Sequence, residues 1–276
     1  MTDFSKIVVL NRKPMPYDHR DFRLADYITP AMSKRAAAIT KQEWAVARIL
    51  DQGSSPHCVG FAWAGFGISL PVFDDWQNAQ GDAIYYAAKV IDGEPRSEDG
   101  SSTRSGVQAF MEFAKLQGNT YAFANSMQDV ITWVLTTGPV ITGTNWYDGM
   151  FNPDANGLVK ISGTVAGGHE WEISGVDTAA RVFKCTNSWG TAFGVGGQFY
   201  IGFDDYQRLL NEQGDACTAV EIASSPAPNP TPTPVPSPAP TPTPTPAPPP
   251  GCLTILSLGL LSAGQKLAAR DVQKRK

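Results

Sequence analysis

Histidine is scarce: His19, His57 and His169 are the only imidazoles in 276 residues, so few positions can supply acid–base chemistry near neutral pH. Cysteine is almost as rare, with Cys58, Cys185, Cys217 and Cys252 far apart. No C-x-x-C spacing occurs, so neither a zinc site nor another metal is expected. Four dispersed cysteines are also too few to staple a small secreted domain. There is no apolar run of the roughly 20 residues that a membrane-spanning helix needs. The start, MTDFSKIVVLNRK, lacks a charged segment followed by a long apolar one, so no secretory signal is expected. These absences point to a reducing compartment, free thiols and a cytoplasmic location. The net charge of −4 argues against nucleic acid as a partner. The body is more acidic than that figure, because Lys266, Arg270, Lys274, Arg275 and Lys276 gather at the C-terminal end.

Aromatic residues are plentiful. Seven Trp, 13 Phe and eight Tyr are concentrated before residue 226, which implies a globular body with a sizeable core. The expected organisation is an N-terminal extension at 1–33, a body at 34–225, a Pro/Thr-rich linker at 226–250 and a tail at 251–276. The linker alternates Pro with Thr, Ala or Ser and carries no charge, which favours an extended spacer. The tail joins a short apolar run to a basic end and is expected to give weak membrane or particle association.

Within the body, helices are predicted from Cys58 through VGFAWAGFGIS, over 82–92, from the Ser/Thr cluster at 101–103 to Gly118, and over SMQDVITWVL before the Gly138-Pro139 breaker. The later runs VITGTNW, GLVKIS, EWEISGVD, RVFKCTN, GQFYIGF and CTAVEIA predict strands. A helical half over about 34–137 and a β half over about 138–225 predict an α+β fold with a cleft between the halves.

Cys58 lies where the turn-rich DQGSSPH gives way to an apolar run. At a helix N-terminus the free amides and the macrodipole stabilise a thiolate. Cys185 and Cys217 fall inside strand patterns and read as small buried hydrophobes. A thiolate nucleophile needs a base. His19 is in the polar extension, and His57 directly precedes Cys58, where adjacent helical residues face different ways. His169 follows a flexible AGG at the mouth of a strand, from which it can be aimed into a cleft.

At these residues the chain resembles a known family. Gln52-Gly53-Ser54-Ser55-Pro56-His57-Cys58, followed by Phe61-Ala62, is similar to the nucleophile block of the papain-like cysteine peptidases. Gly168-His169 with Gly175 is similar to their histidine strand. Asn187-Ser188-Trp189-Gly190-Thr191, ending in Gly196-Gly197, resembles their asparagine block, and Gly138-Pro139-Val140 the turn before their β half. The resemblance covers residues 41–203. It implies a helical half and an antiparallel β-barrel-like half with the active-site cleft between them. It also implies a monomeric cysteine endopeptidase without cofactor, acting on a polypeptide. Cys58 would be the attacking thiolate, paired with protonated His169, and Asn187 would orient the imidazole. Trp189 would cover that bond and border the substrate. The Gln52 amide and the Cys58 N–H would stabilise the oxyanion.

The departures from the family carry expectations too. Val59 stands where the family usually has Trp, and Ser55 where it commonly has a disulfide cysteine. Residues 1–33 are too few for the family's long helical propeptide, so zymogen control is not expected. Gly100 and Ser101 either line the non-primed cleft or form a loop and helix cap. Glu170 replaces a small residue; it either favours a basic substrate side chain or points to solvent. Two other functional readings are a catalytically silent papain-like binding domain on a spacer, and a thiol amidase or acyl transferase of the same fold.

Overall fold

The computed structural model describes residues 2–114 and 120–220. The chain divides into two units, Met1–Asn229 and Pro230–Lys276, and all described residues belong to the first. The expected linker and tail, Cys252 and the predicted helix end at Gly118 lie outside the described residues.

In chain order the elements are β1 (Phe22–Arg23), α1 (Pro30–Ala38), β2 (Lys41–Glu43), α2 (Cys58–Gly67), α3 (Asn78–Asp92), α4 (Thr103–Ala114) and β3 (Thr120–Phe123). There follow α5 (Met127–Thr136), β4 (Val140–Tyr147), β5 (Leu158–Val159), β6 (Val165–Asp177), β7 (Val182–Thr186), β8 (Gln198–Gly202), α6 (Phe203–Asn211) and β9 (Asp215–Val220). Short 3-10 turns at Phe4–Lys6, Leu24–Tyr27 and Asp148–Phe151 complete the set. The α+β expectation holds.

α2 is apolar all round and buried along its whole length, as befits the central helix of its half. It crosses α3 closely at Gly60, where a Cβ would meet the Gly81 carbonyl and the Tyr85 backbone. One apolar core surrounds α2 and includes Val59, Trp63, Ile84, Val107 and Phe110. A second core lies on the sheet side, built from Trp146, Trp171, Phe183, Phe199 and Tyr206 with Val130 and Val134 of α5.

The sheet runs β1-β3-β9-β4-β6-β7-β8-β5, with β2 also paired to β6. Its central pairs are antiparallel, whereas β1–β3 and β5–β8 are parallel. The path ends at β1 and β5 rather than closing on itself, so the β half is an open sheet.

Three differences from the expected elements have physical causes. α1 begins with a Thr29 cap and Pro30 at its first position, but none of its residues is fully buried, and only Met32 and Ala36 within it pack partly against the sheet-side core, a stripe too narrow to betray it. β3 lies within the stretch read as helical, because its pairing partner is β9, far along the chain. α6 follows β8 without a break, and its strong amphipathic pattern was masked by the adjoining strand run. The AGG before His169 is not a flexible hinge. It lies inside β6, and its glycines pair with Trp146 and Asn145 of β4.

Candidate active site

Cys58 is the first residue of α2, as its position after a turn-rich segment predicted. The cap residue, His57, is committed elsewhere. Its Nδ1 lies 2.7 Å from an Asp82 carboxylate oxygen, and its ring stacks on Tyr85 at 4.0 Å. Of the three histidines, His169 is the candidate base. It lies well inside β6, not at its mouth, and is fully buried. Its Nε2–H donates to Asn187 Oδ1 at 2.9 Å. That leaves Nδ1 as the acceptor nitrogen, and Nδ1 has no hydrogen-bond partner among the described residues. The next residue in β6, Glu170, directs its backbone amide to the Cys58 sulfur, so the thiol and the histidine strand meet.

An aromatic cage holds the imidazole. Trp189 stacks on it at 4.7 Å and Trp146 meets it edge-on at 5.1 Å. Phe151 and Phe4 stack on Trp189 in turn. Water is thereby kept from the His169–Asn187 bond, which is stronger for being dry. Trp189 itself is buried within this stack.

Gln52 is buried beside the same loop. Its backbone amide donates to Ser188 O at 2.8 Å, and its Oε1 accepts from Ser188 Oγ at 2.7 Å. Its Nε2 donates to Ser55 O at 2.8 Å, leaving its second N–H unassigned. Ser188 also donates its backbone N–H to Asn187 Oδ1 at 2.8 Å. A single serine thus ties the candidate oxyanion donor to the candidate orienting residue.

The N-terminal segment crosses this site. Arg12 N donates to Gly168 O, and Lys13 N to Ser101 O, each at 2.8 Å. Asn11 pairs with Gly168 and Arg12 with Ser101 as isolated parallel bridges. The approach is close enough that a Cβ at Gly168 would strike the Arg12 carbonyl, and one at Gly100 the Asn11 carbonyl. Gly100 has φ +89° and is anchored from behind, its N–H donating to Tyr85 Oη and its carbonyl accepting from the buried Lys89 ammonium. The loop-and-cap reading of 99–104 applies, since Ser102 Oγ caps α4 through the Ser105 amide, and the Ser101 carbonyl accepts from Lys13 N. Short as it is, the segment over residues 11–13 adds main-chain hydrogen bonds to Gly168 on one side and Ser101 on the other.

Covering has electrostatic consequences. Burial pushes the Cys58 thiol up to about 12, Glu170 adding to it, while the amides of Glu170, Asn11 and Val59 pull the other way. Burial also depresses His169 to about 4 against the opposing bond from Asn187. Both shifts favour the neutral forms, a thiol at Cys58 and an imidazole at His169.

Glu170 does not point to solvent. It is fully buried, and burial first, then Asp215, raises it to about 8, with Arg12 and Thr103 opposing. The Arg12 guanidinium is equally buried and pairs with Asp215. Sequence reasoning singled out neither Arg12 nor Thr103, Gly143, Trp146, Ser188 or Asp215 for a role of its own. Ser188 alone had a local signal, as part of the asparagine block.

No protein-family model matches the chain. Among curated proteins it is similar to cathepsin B-like cysteine proteinase 5 of Caenorhabditis elegans, 31% identical over 102 residues. That match spans 36% of this chain and 28% of the length of the relative. Among solved structures it is similar to xylellain, a cysteine protease from Xylella fastidiosa, with a TM-score of 0.61 and 20% identity. That likeness covers 77% of this chain and 96% of the other. The cysteine protease CMS1MS2 of Carica candamarcensis, solved with E-64, gives a TM-score of 0.48 at 16% identity, covering 66% of this chain and 99% of the other. The chain is papain-like: its fold is that of the papain-like cysteine proteases.

Proposed function

We propose that the chain is a cysteine-type peptidase that hydrolyses peptide bonds through Cys58, His169 and Asn187. The observation that carries this reading is the state of His169. Its Nε2–H is held by Asn187, its ring is clamped under Trp189, and its Nδ1 is left without a hydrogen-bond partner among the described residues. That is the tautomer in which the imidazole can take a proton from a thiol. Cys58 would attack the substrate carbonyl and His169 would protonate the leaving amine. The Cys58 backbone N–H, with the Gln52 amide turned from Ser55, would donate to the oxyanion. The partial likeness to a cathepsin B-like proteinase supports peptidase chemistry in general.

Substrate can enter only after residues 10–13 leave the cleft, so the described conformation is a resting one. The covered thiol also favours a second reading, a catalytically silent papain-like binding domain. Cleavage of a diverse peptide library by the full chain carrying Arg12→Ala, which loosens the cover, separates the two. We expect cleavage that disappears when Cys58→Ala is added. Turnover that survives in a folded Arg12→Ala/Cys58→Ala chain would remove Cys58 as nucleophile, and a library left intact by Arg12→Ala would favour the silent domain.

Residues 226–276 are proposed as a spacer and attachment element for a cytoplasmic enzyme. Truncation after Ser225 is expected to spare peptide cleavage and to abolish any association with membranes or particles.

A further inference from the structure

A small cavity lies where α2 packs on β6. Phe61, Ala62 and Gly65 line it from the helix, at the spacing that places them on one face with Cys58. Glu172 and Asn187 line it from the sheet side. It offers about 10 Å³ to the centre of a water-sized body, the room of one water molecule. Gly65 leaves space beside the carboxyl, since even an added Cβ there would lie 3.9 Å from Glu172 Oε2.

Three polar atoms of these two side chains have no hydrogen-bond partner among the described residues: both carboxyl oxygens of Glu172 and Nδ2 of Asn187. The two residues are 1% and 2% exposed. Polar groups buried so deeply are normally paired, because the bonds they made to water are lost on folding. The neighbouring polar groups are engaged elsewhere. Ser69 Oγ donates to the Gly65 carbonyl at 2.9 Å. Thr186 Oγ1 is held by Ser174 Oγ at 3.0 Å and by Gln198 Nε2 at 3.4 Å. The Arg48 guanidinium is turned to Asp75 and to the Trp76 carbonyl.

Fold stability gives no reason for a carboxyl at this place. The helix face opposite is apolar, and an apolar side chain would fill the space without the cost of burying an acid. The neighbour that gains is Asn187. Its Oδ1 accepts from His169 Nε2–H at 2.9 Å and from Ser188 N–H at 2.8 Å. An amide held only at its oxygen can rock about that end, and a partner for Nδ2 stops it. A water in the cavity is such a partner. It accepts from Asn187 Nδ2–H and donates to Glu172, which keeps an acceptor oxygen whether ionised or protonated. The water meets the far end of the amide, so the His169–Asn187 bond itself stays dry. One enclosed water is not bulk solvent, and burial still holds the Glu172 carboxyl up at about 7.

We propose that Glu172 is a positioning residue for Asn187, acting through one water molecule enclosed between them, and through Asn187 for the His169 imidazole. The proposal rests on the peptidase reading for its bearing on catalysis but not for its test.

Two measurements on the full chain test it, and neither reads turnover. The first is a crystal structure at a resolution that shows ordered water. One water should lie within about 3.2 Å of both Asn187 Nδ2 and a Glu172 oxygen. The second is exchange of the His169 Nε2 proton with solvent, followed by NMR in chain with 15N-labelled histidine. Only three histidines contribute signals, and the one lost in His169→Ala gives the assignment. Glu172→Leu removes the acceptor, and exchange should accelerate about tenfold, as loss of one hydrogen bond from the network implies. Glu172→Gln keeps an oxygen at the same reach and should stay within about twofold of the wild type. A merely structural role predicts otherwise. Leucine in place of an unpaired buried carboxyl is neutral or stabilising for the fold, so it would leave the imidazole proton as protected as before. Should Glu172→Leu fail to fold, Glu172→Met, whose unbranched side chain fits irregular spaces, takes its place. Unchanged exchange in the apolar variant, equal acceleration in Glu172→Gln, or a wild-type crystal structure with no water bonded to both residues would each overturn the proposal. A chain that shows the water and the exchange pattern but cuts no peptide would refute the peptidase reading and leave the water-bridged positioning of Asn187 standing.

Discussion

Ser188 donates from its Oγ to the Gln52 side-chain carbonyl at 2.7 Å, and this bond decides which way the Gln52 amide faces. Because the Ser188 backbone also donates to Asn187 Oδ1, one residue ties together the candidate oxyanion donor and the candidate orienting amide. Ser188→Ala leaves Gln52 Oε1 buried without that donor and free to turn. Measured in the Arg12→Ala chain, the change should lower kcat by about tenfold with little effect on KM, since only the transition state uses the donor. Ser188→Thr, which keeps a hydroxyl, should recover most of the rate. If Ser188→Ala raised KM at unchanged kcat, Ser188 would act on binding and not on positioning.

The candidate chemistry-bearing residues were legible because they sit in local patterns. Cys58 stands between turn residues and an apolar run, and Asn187 lies in a glycine-rich block with Trp189. The buried surroundings of Glu170 were legible only in part. Residues 12, 103, 143, 170 and 215 come from five parts of the chain, and only the β6–β4–β9 register brings the last three into one row. Glu170 alone drew notice, and whether it faced inward depends on strand pairing that no local pattern encodes. The crossing of residues 11–13 was hidden for another reason. Its bonds run between main-chain groups, which leave no trace in side-chain identity except at the partners. Gly168 and Gly100 were that trace, small because another backbone lies against them.

His57 and His169 give opposite expectations although one of them adjoins Cys58. His57 is bound to Asp82 and stacked on Tyr85, a structural role at the start of α2. His57→Ala should cost stability of about 1 kcal/mol while retaining most peptide cleavage. His169→Ala should lower kcat/KM by several orders of magnitude with an unchanged fold. Comparison of thermal melts and initial rates for the two variants, both in the Arg12→Ala chain, checks the assignment. A more damaging His57 change would move the base to the other imidazole.

The covering segment should be readable in the thiol itself. In the resting chain Cys58 is raised to about 12 and His169 lowered to about 4, both by burial first. At pH 6, far below 12, almost no thiolate is present, so iodoacetamide should alkylate Cys58 of the wild-type chain slowly there. Arg12→Ala loosens the cover and rehydrates the pair, which lets the thiolate–imidazolium form appear. Alkylation, followed by mass spectrometry at the Cys58 peptide, should then accelerate by about tenfold or more and change little from pH 5.5 to 8. A rate that climbs about tenfold per pH unit in the variant would mark an unassisted thiol. Equal rates in the two chains would show that residues 10–13 are not what shields it.

Glu172 offers a test of stability against pH, because a carboxyl is buried there with no cation beside it. It lies in β6 facing α2, beside Gly65, and burial raises it to about 7 against the opposing effect of Ser69 and Thr186. In the unfolded chain it titrates near its ordinary value of 4.5. The folded state therefore holds a proton that the unfolded state releases between those two values. This contribution is fully present below about pH 4.5, declines as pH rises, and is lost once pH passes 7. Its span, from the difference between the two values, is roughly 3 kcal/mol at most. Glu172→Gln keeps the shape and removes the titration. Its melting temperature should lie close to that of the wild type at pH 5 and several degrees above it at pH 8. Glu170, raised to about 8 by burial, bends both curves in the same sense, so the difference between them isolates Glu172. Parallel melting curves from pH 5 to 8 would mean that Glu172 reaches water or a cation in the folded chain.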